Sequence, residues 1–139
     1  MKSINQIQDE IIEEFSMFED WMEKYEYIID LGKELPLLHE EQKTDERLIH
    51  GCQSRVWVNT EMSESKLHFT ADSDAIITKG IISLLIRVLS NQTPKDIVTT
   101  ELYFIGKIGL QEHLSPTRAN GLVGMINRLK SEGLKHLNL

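Results

Sequence analysis

The apolar pattern of this chain changes period twice, and that limits the folds open to it. In the first third, apolar residues recur at helical spacing. Ile4, Ile7, Ile11, Ile12 and Phe15 form one stripe, and Phe18, Trp21, Met22, Tyr25, Ile28 and Ile29 form a second. Gly32 and Pro36 are expected to end that pattern. The middle of the chain alternates instead. In "SRVWVNTEMSESKLHFTAD", Val56 and Val58 fall on one face and Arg55, Trp57 and Asn59 on the other. Leu67, Phe69 and Ala71 resume the alternation after a polar "SES", which reads as a β-hairpin. The preceding "ERLIHGC" is placed to supply a third strand.

The helical period then returns. "DSDAIITKGIISLLIRVLSN" opens with acidic and hydroxyl residues suited to a helix N-terminus, and it is apolar on most sides. A central buried helix is expected there. Gly80 lowers its helix propensity, which close packing against the sheet would explain. "TPKD" and "SPTR" set Thr93 and Ser115 before a proline, the order of an N-cap followed by Pro at the first helical position. The final helix, from Pro116, carries Ala119, Leu122, Val123, Ile126 and Leu129 on one face. Helices, a small antiparallel three-stranded sheet, then helices again define an α+β layer fold.

The 139 residues, 40 % of them apolar, suit one domain spanning 1–139 with a single core. A net charge of −7 argues against a nucleic-acid partner, which would need a basic face, but not against a basic protein. Asp9, Glu10, Glu13, Glu14, Glu19, Asp20, Glu23 and Glu26 crowd the first third. They read as the solvated face of two amphipathic helices or as an acidic docking surface. The longest fully apolar run, "IISLLI", is too short to span a membrane. Acidic residues also stand in "MKSINQIQDEIIEEF" where a signal peptide would need an apolar stretch. A soluble, cytoplasmic protein is expected, with monomer and homodimer both open.

Cys52 is the one cysteine. It cannot form an intrachain disulfide, a CxxC redox pair or an all-cysteine metal site by itself. It lies in "IHGCQSRVWV", in a connection between strands rather than inside one. Gly51 gives the backbone freedom to turn, and Gln53 and Ser54 are polar neighbours able to shape the loop. His50 and Arg55 bracket the thiol with two potential cations, which would lower its pKa from roughly 8.5 if they face it. Arg55 has the alternative of lying along the Trp57 ring.

Four readings of Cys52 compete. It is a buried small hydrophobe. It is a hydrolase nucleophile, which needs a histidine base. It is a metal ligand with His50, His68 or His113, although their spacings match no standard pattern. Or it exchanges sulfur with an outside partner. A carrier thiol gains from having no second cysteine nearby, since a resolving thiol would expel its cargo.

"IHGCQSRVW" resembles the cysteine segment of the SufE family of sulfur-acceptor proteins. "ADSDAIITKGII" and "LQEHLSPTRANGLVGMI" are similar to two further family segments in order and spacing. The likeness runs from about Phe18 to Arg128. It implies an α+β fold similar to the IscU scaffold. It also implies that Cys52 accepts sulfane sulfur as a persulfide from a pyridoxal-phosphate cysteine desulfurase of the SufS type. The chain would stimulate that enzyme and pass the sulfur to a SufBCD-type scaffold for iron–sulfur clusters. The cofactor belongs to the desulfurase, so none is expected here, and no metal. The chain would be a sulfurtransferase-like covalent carrier rather than an independent enzyme. A relay to another thiolation pathway, of the CsdE type, is the alternative within the same chemistry. A thiol-dependent hydrolase and a plain interaction module are the alternatives outside it.

Supporting residues follow from the same segments. Arg118 sits in the first turn of the last helix, where the macrodipole disfavours a cation, so an anion or the thiolate is a candidate partner. Asp74 suits a helix cap, and the likeness puts Asp72 and Asp74 close to the cysteine loop, where they would hold it closed. His113 reads as helix-end structure and Lys79 as an ordinary helical lysine. Cys52 is expected to be partly sheltered in the free protein, from its apolar flanks Ile49, Val56 and Trp57.

Overall fold

A computed structural model describes residues 2–36 and 38–137. Helix α1, Ile4–Ser16, starts at a capping box in which Ser3 accepts from the Gln6 amide and the Gln6 side chain returns the bond. Ile4, Ile11 and Phe15 bury its inner stripe. Gln8 is buried among them. Its amide nitrogen donates to Glu101 O at 3.0 Å and its oxygen accepts from Phe104 N at 3.1 Å, so a buried side chain satisfies backbone that the helix leaves open. Helix α2, Trp21–Lys33, is capped by Asp20, whose carboxylate accepts from Glu23 N at 2.9 Å.

α2 stops at Lys33, between Gly32 and Pro36, as the sequence pattern suggested; Gly32 itself lies in the last turn and is buried. Its reason is contact with α3, Ile76–Leu89, the central helix. A Cβ on Gly32 would come within 2.6 Å of Gly80 N, and one on Gly80 within 2.2 Å of Ile28 O. Gly80 therefore serves a helix–helix contact and not the expected contact with the sheet. Two glycines let the α2 and α3 backbones approach where a methyl group would hold them apart. Met22, placed on the apolar stripe by its spacing, is exposed, because α3 covers only the Ile28 side of α2.

The hairpin forms as the alternation predicts. Strands β1, Val56–Ser63, and β2, Lys66–Ser73, pair antiparallel with Val56 opposite Ser73 and Ser63 opposite Lys66. Glu64 and Ser65 close it with φ of 52° and 67°, the left-handed pair of a type I′ turn. Val56, Val58, Leu67, Phe69 and Ala71 are buried. Among the described residues the third strand is not there as a full strand: the sheet has two, and the earlier segment adds one bridge, Leu48 to Trp57. Ile49 N donates to Val56 O at 2.8 Å and Val58 N to Arg47 O at 2.9 Å. Pairing then stops because the chain turns away into the cysteine loop.

After α3 come short helices α4, Pro94–Thr99, α5, Phe104–Lys107, and α6, Leu110–His113. The last helix is α7, Pro116–His136. Thr93 and Ser115 cap α4 and α7 with Pro at the first helical position, as read from "TPKD" and "SPTR". In α7 the buried face is Gly121, Leu122, Met125 and Leu129, whereas Val123 is exposed. The buried residues form one core, in which α3 packs on α1, α2, β2 and α7, while α4 packs on α7 and α5 on α1 and α6. Among the described residues no helix is long and apolar enough to cross a membrane.

Candidate functional site

Cys52 lies in the connection between the Leu48 bridge and β1, as expected. Gly51 before it has φ of +93°, while a Cβ there would meet nothing within 4 Å. The glycine is needed for its backbone conformation, not for space. The thiol is half-buried and donates to Gly121 O of α7 at 3.6 Å. A cavity of about 70 Å³ opens beside it, between the loop, the start of α3 and the first turns of α7. Ile77, Ile81 and Met125 form its apolar wall; Gln53, Ser54, Thr117 and Arg118 form the polar one.

The bracketing cations do not tune the thiol. His50 and Arg55 are exposed, and burial pushes the Cys52 thiol above its ordinary pKa instead of a cation pulling it below. Nor does Arg55 lie along Trp57. The cation over that ring is Lys43, with its Nζ 5.3 Å from the ring centre.

The loop is tied at both ends. On the far side, Asp74 Oδ1 accepts from Arg55 N at 3.0 Å, Asp74 N donates to Arg55 O at 3.2 Å, and Ser73 Oγ donates to the same oxygen at 2.8 Å. Asp74 is thus a tether of the loop's exit and not the cap of α3, whose cap position is Ala75 with no side-chain bond. Asp72 acts one step back. It is buried, accepts from Ser73 N at 2.8 Å, and pairs with Lys79 at 3.3 Å and Lys43 at 3.4 Å. Burial pushes its carboxyl up, but the Ser73 amide and the two lysines outweigh that and hold it below the usual carboxylate range. Lys79 is therefore an ion-pair partner rather than an idle surface lysine.

On the near side the anchor is Arg128, which the sequence reading did not single out. Its guanidinium donates to Leu48 O at 3.0 Å and to Glu46 O. Gly124, one turn earlier, lies under the loop, where a Cβ would come 3.2 Å from His50 O. The spacing of Gly121, Gly124 and Arg128, small residues and one arginine on a single helix face, is the signal that marks them.

Arg118 lines the cavity, but its Nη1 donates to Tyr25 OH at 3.3 Å, tying α7 to α2. His113 is helix-end structure: its Nδ1 sits 2.8 Å from Gly109 O, and its ring stacks on Trp21 at 4.5 Å. Among the described residues no group of three or more His, Cys, Asp or Glu is placed to hold a metal ion.

Comparison with known proteins places this geometry. Residues 9–133 match the SufE family model, described as an Fe–S metabolism associated domain, a longer stretch than the quoted segments span. A SufE-like protein of Rhizobium meliloti is 40 % identical over 129 residues, covering 89 % of this chain and 92 % of its own. A SufE-like protein of Rhizobium etli is 39 % identical over 129 residues, covering 89 % and 87 %. The solution structure of a hypothetical protein from Thermus thermophilus superposes with a TM-score of 0.77 at 19 % identity, over 96 % of this chain and 97 % of its own, and so shares the fold. With the family model and both relatives spanning most of its length, the chain belongs to the SufE family, whose domain is associated with Fe–S metabolism.

Proposed function

We propose that this protein carries sulfur as a persulfide on Cys52. A pyridoxal-phosphate cysteine desulfurase of the SufS type supplies it, is stimulated by the chain, and holds the cofactor. A SufBCD-type scaffold receives the sulfur for cluster assembly; a CsdE-type thiolation pathway is the other acceptor the same loading step would serve.

The observation that carries the reading is a solitary thiol, half-buried beside a small cavity, in a loop tied at both ends. In the transfer, the Cys52 thiolate attacks the terminal sulfur of the desulfurase persulfide. The S–S bond of the donor breaks, a new S–S bond forms on Cys52, and the donor cysteine leaves as thiolate. No net oxidation or reduction occurs. With no second cysteine in the sequence, an internal thiol cannot displace the cargo.

Burial that favours S–H over thiolate suits a resting state, in which stray disulfides meet an unreactive thiol. Docking then has to bring Cys52 out of its shelter. The hydrolase reading is disfavoured because His50 is exposed and His113 is committed to Gly109 and Trp21.

The test is desulfurase turnover, followed as alanine released from L-cysteine without added reductant. The wild-type chain raises the rate and Cys52→Ser does not. Equal stimulation by both would make the chain an interaction module and not a carrier.

A further inference from the structure

The chain that leads into the cysteine loop is gripped from two sides. One edge of residues 46–49 faces β1 through the bonds of Ile49 and Arg47. The carbonyls of Glu46 and Leu48 face the other way, toward α7, and both accept from Arg128. Residues 44–48 form a turn in which Leu48 N donates to Thr44 O at 3.1 Å, and Arg128 takes the carbonyls that this turn leaves open on the α7 side. Its remaining edge is fixed as well: Nε donates to Glu132 Oε1 at 3.2 Å, one turn on in α7, and Glu132 is itself buried. The Arg128 side chain is 21 % exposed, so these bonds are partly shielded from water.

The same helix face continues toward the thiol. Arg128 holds residues 46 and 48, Gly124 lets the His50 carbonyl approach, and Gly121 accepts the Cys52 thiol. Positions 121, 124 and 128 are spaced by three and four, so they form one track along α7. The anchor and the thiol are thus two ends of a single contact between the segment that enters the loop and one helix.

We propose that Arg128 is a positioning residue for Cys52, and that by holding residues 46–48 on α7 it sets how deeply the thiol is sheltered. It does not touch the sulfur. Its purpose rests on the carrier reading above; its test does not. When the Arg128 bonds are lost, the loop's near end is free while Asp74 still holds the far end, and Cys52 swings away from Gly121.

The experiment uses the full chain and measures Cys52 alkylation by iodoacetamide from neutral to alkaline pH, with thermal melts alongside. Arg128→Met keeps the aliphatic stem and removes the donors. It is expected to alkylate at least about tenfold faster, the factor that a single charge-assisted bond is worth at the low end. Its pH midpoint drops toward that of an ordinary thiol. The charged side chain lining the thiol cavity, Arg118, is untouched by the change. Arg128→Lys, able to reach one carbonyl, falls between. Lys130→Met is the control: it removes a 2.6 Å bond to Thr100 O elsewhere on α7, and its alkylation matches wild type.

A wild-type rate and pH midpoint in Arg128→Met overturn the proposal. So does equal acceleration in Lys130→Met, which makes the effect general loosening. If Arg128→Met does not fold, Gly124→Ala decides: its Cβ presses on the His50 carbonyl, and faster alkylation supports the track while a wild-type rate overturns it. A chain whose Arg128 variants respond as expected, but which takes no sulfur from a desulfurase, loses the carrier reading and keeps the positioning residue.

Discussion

The Cys52 thiol donates to the Gly121 carbonyl at 3.6 Å, so the one sulfur nucleophile of the chain rests as a protonated donor against α7. Burial raises its pKa. The folded state therefore favours the neutral thiol. Its contribution to stability is complete below the unfolded pKa and is lost as pH rises through the folded one. Alkylation of the native chain is expected to have a pH midpoint above that of the same chain in urea. A native midpoint at or below the urea value would mean that a cation tunes the thiol after all.

Asp74 holds the loop's exit through both the amide and the carbonyl of Arg55. Asp74→Ala removes the acceptor for the Arg55 amide, at a local cost of about 1–2 kcal/mol. Amide hydrogen exchange across residues 50–55 should rise by roughly tenfold, with the hairpin unchanged. Asp74→Asn keeps an acceptor oxygen and should exchange close to wild type. Equal exchange in Asp74→Ala would show that the two bonds to Arg55 O, from Ser73 Oγ and the residue-74 amide, secure the loop's exit without the carboxylate.

The closest approach in the fold is tested by three glycines. Gly80→Ala sets a methyl group 2.2 Å from Ile28 O, and Gly32→Ala sets one 2.6 Å from Gly80 N. Each should cost about 3 kcal/mol by forcing two helices apart, and each should lower the melting temperature clearly. Gly106→Ala meets nothing within 4 Å and should be neutral or stabilise by about 0.5 kcal/mol. Thermal melts of the three variants check the ranking. A mild Gly80→Ala would mean that α2 and α3 do not meet as described.

Glu14 joins α1 to α3 through a two-pronged pair with Arg87, and it also accepts from Tyr27 OH at 2.6 Å. The Arg87 bonds hold the Glu14 carboxyl below its usual range despite partial burial, and burial together with Glu14 pushes Tyr27 up to about 12. A lowered carboxyl pKa stabilises the fold above the unfolded value of about 4.3 and loses that effect as pH falls through the folded value. Glu14→Gln should cost about 1 kcal/mol near neutral pH, allowing for solvent screening of a pair about one-third exposed. The cost should be smaller in acid, once the pH has fallen below the lowered Glu14 value, than near neutral pH. Urea midpoints of both chains at the two pH values decide it, and a pH-independent difference would assign the effect to packing.

Local chemistry explains which features could be read from the sequence. Ser115 before Pro116 and Thr93 before Pro94 act on their own backbone, so their helices begin where the sequence says. The hairpin is legible because alternation and a two-residue turn are local too. Partners distant in sequence are not. Gly80 signals close approach, but nothing local says that Ile28 and not the sheet is the neighbour. The third strand shrinks to one bridge because the chain turns at residues 45–47 before Leu48 and again at His50 and Gly51 after it, while its outer carbonyls go to Arg128, 80 residues on. His50 and Arg55 flank Cys52 in sequence, yet both point their charge to solvent, and Lys43 takes the Trp57 ring expected for Arg55. Cys52 and its loop could be located from the sequence, whereas the helix face that shelters it could not.

The most direct test of the central claim is intact-protein mass spectrometry after incubation with a SufS-type desulfurase and L-cysteine, with Cys52→Ser alongside. A persulfide carrier gains one sulfur atom on the wild-type chain, removable by reductant and absent from the variant. No gain with a competent desulfurase, or the same gain on Cys52→Ser, would contradict it.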